Sequence, residues 1–171
     1  GAPSLCRFRP FDPDCNVFTG LRSADAVVAR LRRSDLQMTS DGKPADPPLI
    51  GWGFDPIYCG GVRMTLAHLD RASVARPIVI LHVNGHLMNV NSTMLREAGI
   101  TRDTEIEGVM RFDNGEPNGE LQEPAAMFPV VRKVGNAGLL APMDDDGMRG
   151  FAAMARVQGV TPATDLVNKL S

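Results

Sequence analysis

Between residues 24 and 33 the apolar positions Ala24, Val27, Val28 and Leu31 recur at i, i+3, i+4 and i+7, which is the stripe of an amphipathic helix. Ser23 stands where an N-cap belongs, and Arg30, Arg32 and Arg33 fall toward the negative pole of the helix dipole. After the turn-rich stretch 41–48 the pattern changes, and Leu49 to Phe54 predicts a short buried strand. Pro77-Ile-Val-Ile-Leu-His-Val83 is the strongest strand signal. A continuous apolar run of that kind is covered on both faces, as in an α/β or mixed sheet. Thr65 heads a short helix over 66–71, and Asn91 or Ser92 begins another that runs through Leu95 and Ala98 and stops at Gly99.

Farther along, Val109-Met-Arg-Phe112 and Glu120-Leu-Gln-Glu123 flank Asp113-Asn114-Gly115, a hairpin signal. A helix is predicted over 124–134 with an interruption or kink at Pro129, since proline removes a backbone donor. Asp144-Asp145-Asp146 opens a final helix through Val157; the three carboxylates suit its positive pole and lack the ligand spacing of a calcium loop. Gly159 stops that helix, and a strand is expected beyond it. Together the elements predict an α+β fold: a small mixed sheet around 49–54, 77–83 and 107–123 with helices packed over it. The segments read as 1–22, an irregular leading stretch with Pro3, Pro10 and Pro13; 23–142, the α+β domain; and 143–171, a helix and a strand.

Composition narrows the function classes. The 171 residues suffice for one real core, and a formal net charge of −2 provides no electrostatic footprint for nucleic acid. No apolar run approaches the roughly 18 residues that cross a bilayer, and Gly1 to Cys6 lacks the basic and apolar regions of a leader. A soluble chain follows as the expectation, with the cytoplasm favoured and neither nucleic acid nor membrane as partner. Cys6, Cys15 and Cys59 form an odd set with no CxxC pair; free thiols are expected, with a Cys6–Cys15 disulfide left open.

His68, His82 and His86 are the only histidines, and no His-X-His pair is present. His82 and His86 are four apart, yet on a strand that spacing separates them by about 13 Å, too far to share one metal ion. Gly85 instead turns the chain and exposes His86 at a strand end, where functional side chains of α/β proteins gather. Glu123, after a short strand or hairpin, carries a carboxylate suited to metal ligation or proton transfer.

The motifs in order are Gly51-Trp-Gly-Phe-Asp55, Thr65-x3-Leu69-Asp70, Ser73-x2-Arg76-Pro77, His82-x2-Gly85-His86, Asn91-Ser92-x2-Leu95, Ala98-Gly99-Ile100, Asp113-x-Gly115-Glu-Pro-x-Gly119-x-Leu121-x-Glu123 and Gly159-Val-Thr161-x2-Thr164-Asp165. Their order and spacing over about residues 20–168 resemble the YtcJ-like branch of the amidohydrolase superfamily, amidohydrolase family 3. The resemblance implies a TIM-like barrel with a small β-sandwich, holding one or two divalent metals that activate water against a C–N bond in a non-peptide, amide-like substrate. It makes this chain the inserted α+β portion plus the beginning of the barrel wall. The His-X-His ligands would lie before Gly1, and further histidines and the catalytic aspartate after Ser171.

Within the chain the resemblance leaves Glu123 as the metal-ligating carboxylate and His86, Trp52 and Asp55 as the substrate contacts; no catalytic residue is assigned. The expected cofactor of the full-length enzyme is a divalent metal, zinc favoured, with none tightly held by this chain and no hydrolysis by it alone. Its expected partners are the small amide-like substrate, the rest of the barrel, and a second copy recruited through exposed apolar surface. Two departures stand out: Pro124 follows Glu123, and Glu120 precedes Leu121, where strand alternation places it outward. The rival reading is a self-sufficient α+β module that binds a small ligand or a protein in a groove near Trp52 and His86.

Overall fold

The computed structural model describes residues 20–40, 48–135 and 145–160. The expectations for residues 1–19, the loop before Pro48, the Cys6–Cys15 pair and the strand after Gly159 lie outside them. Residues 20–135 and 145–160 fall in separate compact units.

In the larger unit α1 (Ala24–Ser40) begins as its sequence predicts, with Ser23 Oγ accepting from the Ala26 N–H at 3.1 Å, and runs seven residues past the apolar stripe. Five strands follow: β1 (Leu49–Phe54), β2 (Ile78–His82), β3 (Leu87–Val90), β4 (Val109–Arg111) and β5 (Pro117–Gln122). They form one mixed sheet in the order β1-β2-β3-β5-β4, with β1 and β2 parallel and every other pairing antiparallel. Three helices complete the unit: α2 (Leu66–Asp70), α3 (Ser92–Ala98) and α4 (Glu123–Val134).

The sheet is the middle layer of three. On one face Val27, Val28 and Leu31 of α1 and Leu69 of α2 pack with Leu49, Phe54, Ile78 and Ile80. On the other, Met94 and Leu95 of α3 and Ala126, Met127 and Val130 of α4 pack with Ile50, Val79, Met88, Val90 and Leu121. Alternate residues of β2 therefore enter different cores, which is why its sequence shows no polar alternation.

Asn91 ties these layers together. Its buried amide oxygen accepts from the N–H groups of Ile78 and Met94, both at 3.0 Å, while its amide nitrogen donates to the carbonyls of Ser73 and Arg76, both at 2.9 Å. It is the N-cap of α3; Ser92, the alternative, lies inside the helix and bonds Asp70 through its N–H and hydroxyl.

Three expectations are corrected. Residues 87–90 form β3, a strand absent from the sequence reading; the Asn84-Gly85 turn closes it onto β2, with the Gly85 N–H donating to His82 O at 3.0 Å. Helix α4 continues through Pro129 without a break. The carbonyl that Pro129 leaves without its helical donor belongs to Ala125, an exposed residue, while Ala126, Met127, Val130 and Val134 anchor the buried side. Glu120 points inward and is 4% exposed. Alternation implies an outward position only when one sheet face is wet, and here helices cover both.

The other unit contains α5 (Asp145–Val157), the helix expected from the aspartate run. It ends at Val157, and the chain then turns at Gly159, whose φ of 75° lets the Val160 N–H reach back to Ala155 O at 2.8 Å.

Candidate functional site

The loops and termini at one end of the sheet bring His86 and Glu123 together from 37 residues apart in sequence. β2 ends at His82, the tight turn follows, and His86 immediately precedes β3. Leu87 pairs with Gln122, so the residue after β5 lies beside the residue before β3. Glu123 donates its N–H to His86 O at 2.8 Å, and the two side chains meet at 3.0 Å between His86 Nδ1 and Glu123 Oε2. An ionised carboxylate only accepts, so Nδ1 carries the proton in this contact. Asn84 supports the turn by accepting from the His86 N–H at 2.9 Å. Both side chains are about two-thirds exposed, at 63% and 66%, which leaves them open to a ligand.

Trp52 and Asp55 are not drawn into this pair. Trp52 is half-buried on β1, across β2 from β3, and no hydrogen bond or ring contact joins it to His86 or Glu123 among the described residues. Asp55 follows β1 and caps the 3-10 turn Pro56–Cys59, accepting from the Ile57 N–H at 2.9 Å. One of its carboxylate oxygens is thus committed to backbone. Cys59 is a free, buried thiol; burial and, second, the Asp55 charge raise its pKa, which favours the protonated form.

Beneath the candidate pair runs a buried polar strip that the sequence reading did not find. His82, 2% exposed, sets Nε2 2.5 Å from Asn89 Oδ1 and lies edge-on to the Phe54 ring, with centroids 5.0 Å apart. Asn89 donates its amide to Met64 O at 2.7 Å, which directs its oxygen at His82 and assigns the proton there to Nε2. Burial lowers the His82 pKa, outweighing the Asn89 hydrogen bond and the Glu120 and Asp55 charges that raise it. The imidazole is consequently neutral and structural.

Asn89 sits opposite Glu120 in the ladder, and Arg63 forks onto Glu120, with Nε donating to Oε2 at 3.1 Å and Nη2 to Oε1. The hydrogen bond to Glu120 and its charge raise the Arg63 pKa. Gln122 Nε2 also donates to Glu120 at 2.7 Å. A carboxylate facing the sheet interior is tolerable because it is paired and hydrogen-bonded. In sequence, Asn84-Gly85 was the signal that would have exposed β3 and with it the pairing of Asn89 with Glu120.

Among the described residues no group of three or more His, Cys, Asp or Glu side chains could hold a metal ion. A catalytic zinc site needs three protein ligands, and His86 with Glu123 supplies at most two. The pair fits a metal only as part of a larger ligand set, and no chemical step can be drawn through it from these residues.

Comparison with known proteins places this geometry in context. A family model described as "Amidohydrolase family" matches residues 17–168. The "Protein LONG AFTER FAR-RED 3" of Arabidopsis thaliana is 31% identical over 125 residues, which cover 69% of this chain and 20% of that protein. The "Putative amidohydrolase YtcJ" of Bacillus subtilis (strain 168) is 29% identical over 148 residues, covering 78% of this chain and 26% of that one. The chain thus spans about a fifth to a quarter of the length of these curated relatives. Among solved structures, an uncharacterized metal-dependent hydrolase from Pyrococcus horikoshii OT3 shares the fold with a TM-score of 0.50 at 17% identity, over 86% of this chain and 30% of that one.

Proposed function

This chain belongs to the amidohydrolase family, as a segment of the family 3 type, and from that premise we propose that it forms part of a metal-dependent enzyme hydrolysing C–N bonds of amide-like, non-peptide substrates. The observation that carries the proposal is the convergence of Glu123 and His86 at one sheet end in a chain whose family match spans residues 17–168. In this reading residues 23–142 are the inserted α+β domain and 143–171 the start of a TIM-like barrel wall. Glu123 contributes one carboxylate to a divalent metal, zinc favoured, while the remaining ligands come from the rest of the barrel. The metal would polarise the substrate carbonyl and supply hydroxide near neutral pH. His86 holds the substrate beside it, and Trp52 and Asp55 shape the pocket wall farther along the sheet end.

The rest of the barrel would also cover Ile57, Tyr58 and Val83, which are 80%, 54% and 51% exposed. Left uncovered, such surface favours self-association of the isolated chain. The proposal is tested by metal analysis and amide hydrolysis on this chain after dialysis, alongside the full-length enzyme carrying Glu123→Gln. The chain alone is expected to hold no stoichiometric metal and to turn nothing over, and the variant to lose bound metal. One equivalent of zinc in the isolated chain, or full metal content in the variant, refutes it.

A further inference from the structure

Glu123 is the only non-glycine residue with a positive φ among the described residues, at 65°. A side-chain-bearing residue is disfavoured there because its Cβ crowds the neighbouring carbonyl, and such outliers persist only where surrounding structure over-determines them. The over-determination is visible in the peptide unit joining Gln122 to Glu123. Its N–H donates to His86 O at 2.8 Å on the β3 side. Its carbonyl oxygen lies against Gly108 on the β4 side, so close that a Cβ added to Gly108 would stand 2.1 Å from it and 3.1 Å from Ala126 Cβ. The Gln122 N–H also donates to Gly108 O at 2.8 Å. With that peptide plane held from both sides, the turn into α4 falls on the backbone of Glu123, at φ 65°, and its carboxylate meets His86.

The contact that results does not offset the strain. Both side chains are mostly exposed, and an exposed pair contributes little to stability. We infer that Gly108 is a positioning residue for the His86–Glu123 pair, and that the chain keeps Glu123 in a strained backbone conformation to present its carboxylate rather than to stabilise the fold. What the pair serves rests on the function proposed above; the clamp and the strain are properties of this chain without any metal.

Two measurements on the metal-free chain test this. In thermal unfolding, Glu123→Gly and Glu123→Ala both lose the carboxylate, but only glycine relieves the left-handed backbone. The glycine variant is expected to melt about 2–4 °C above the alanine variant; an alanine variant equal to it or higher overturns the strain. In long-range proton–nitrogen NMR at about pH 8, the His86 ring is expected to show a protonated Nδ1 in the parent chain, as its contact with Glu123 requires. Gly108→Ala and Glu123→Ala are expected to shift it to the Nε2–H form.

A merely structural glycine would lower the melting temperature and leave that ring signature in place, so a folded Gly108→Ala chain with the parent signature overturns the positioning role. Should Gly108→Ala not fold, the two Glu123 variants decide, because an unstrained Glu123 needs no clamp. Failure of the metal analysis proposed for the full-length enzyme would leave both results standing.

Discussion

Replacing Asn91 by alanine removes one side chain and four buried or partly buried hydrogen bonds at once, so its cost can be worked from the structure. The N-cap bond to the Met94 N–H is worth about 1 kcal/mol. The Ile78 N–H is more serious: Ile78 is fully buried, its donor finds Asn91 Oδ1 where a strand carbonyl would otherwise lie, and an orphaned buried donor costs about 1–3 kcal/mol. The Ser73 and Arg76 carbonyls each keep a second lone pair and the chain there can shift, so losing the two bonds adds about 1 kcal/mol between them. The sum is about 3–5 kcal/mol, a large share of the roughly 5–15 kcal/mol by which a typical domain is stable. Urea denaturation followed by circular dichroism should show the midpoint falling with an unchanged slope. Asn91→Asp discriminates further, since it keeps both acceptor contacts but turns the donor toward two carbonyls into an acceptor; it should be no better than alanine. A loss below about 1 kcal/mol for Asn91→Ala would refute the accounting, because it would mean the Ile78 donor was never dependent on this side chain.

The remaining predictions concern charge and close packing. Because burial depresses the His82 pKa in the fold below its ordinary value of 6.5, the unfolded chain binds more protons as pH falls through that value. The stability His82 contributes is complete above the unfolded pKa and is lost as pH falls toward and through the folded one. Urea midpoints between about pH 7.5 and 5 should therefore decline in the parent chain and decline less in His82→Gln; identical slopes would show that His82 is not the titrating group. Gly119 has φ +89°, and an added Cβ would lie 2.5 Å from Val90 O and 2.8 Å from Leu66 N, both backbone atoms. Gly119→Ala should cost about 2–4 kcal/mol or prevent folding, and a parent-like midpoint would show that β5 and α2 can separate freely.

Where the sequence was legible, one local rule sufficed. The stripe of α1, the buried run of β2 and the stop of α3 at Gly99 follow from periodicity, burial on both faces and left-handed glycine. The reading faltered where polar residues are buried. Leu87-Met88-Asn89-Val90 has an asparagine in its middle and no polar alternation to mark it as a strand, although Asn84-Gly85 before it announces a turn. Glu120 was assigned outward by a rule that presumes solvent on one side of a sheet. Pro129 was expected to interrupt or kink α4, and the helix runs through it without interruption, its buried side anchored at four positions.

By itself the sequence determined the family and most of the element types, with β3 the exception, since periodicity, capping and motif spacing are properties of neighbours along the chain. Only the tertiary structure decided that His86 and Glu123 touch, because their contact depends on the register of β3 against β5 and on a peptide wedged between His86 and Gly108. The left-handed turn at Glu123 belongs to that second category as well. Intrinsic preference disfavours it, and it exists because packing holds the preceding peptide on one side and α4 on the other, so that the backbone of Glu123 absorbs the mismatch.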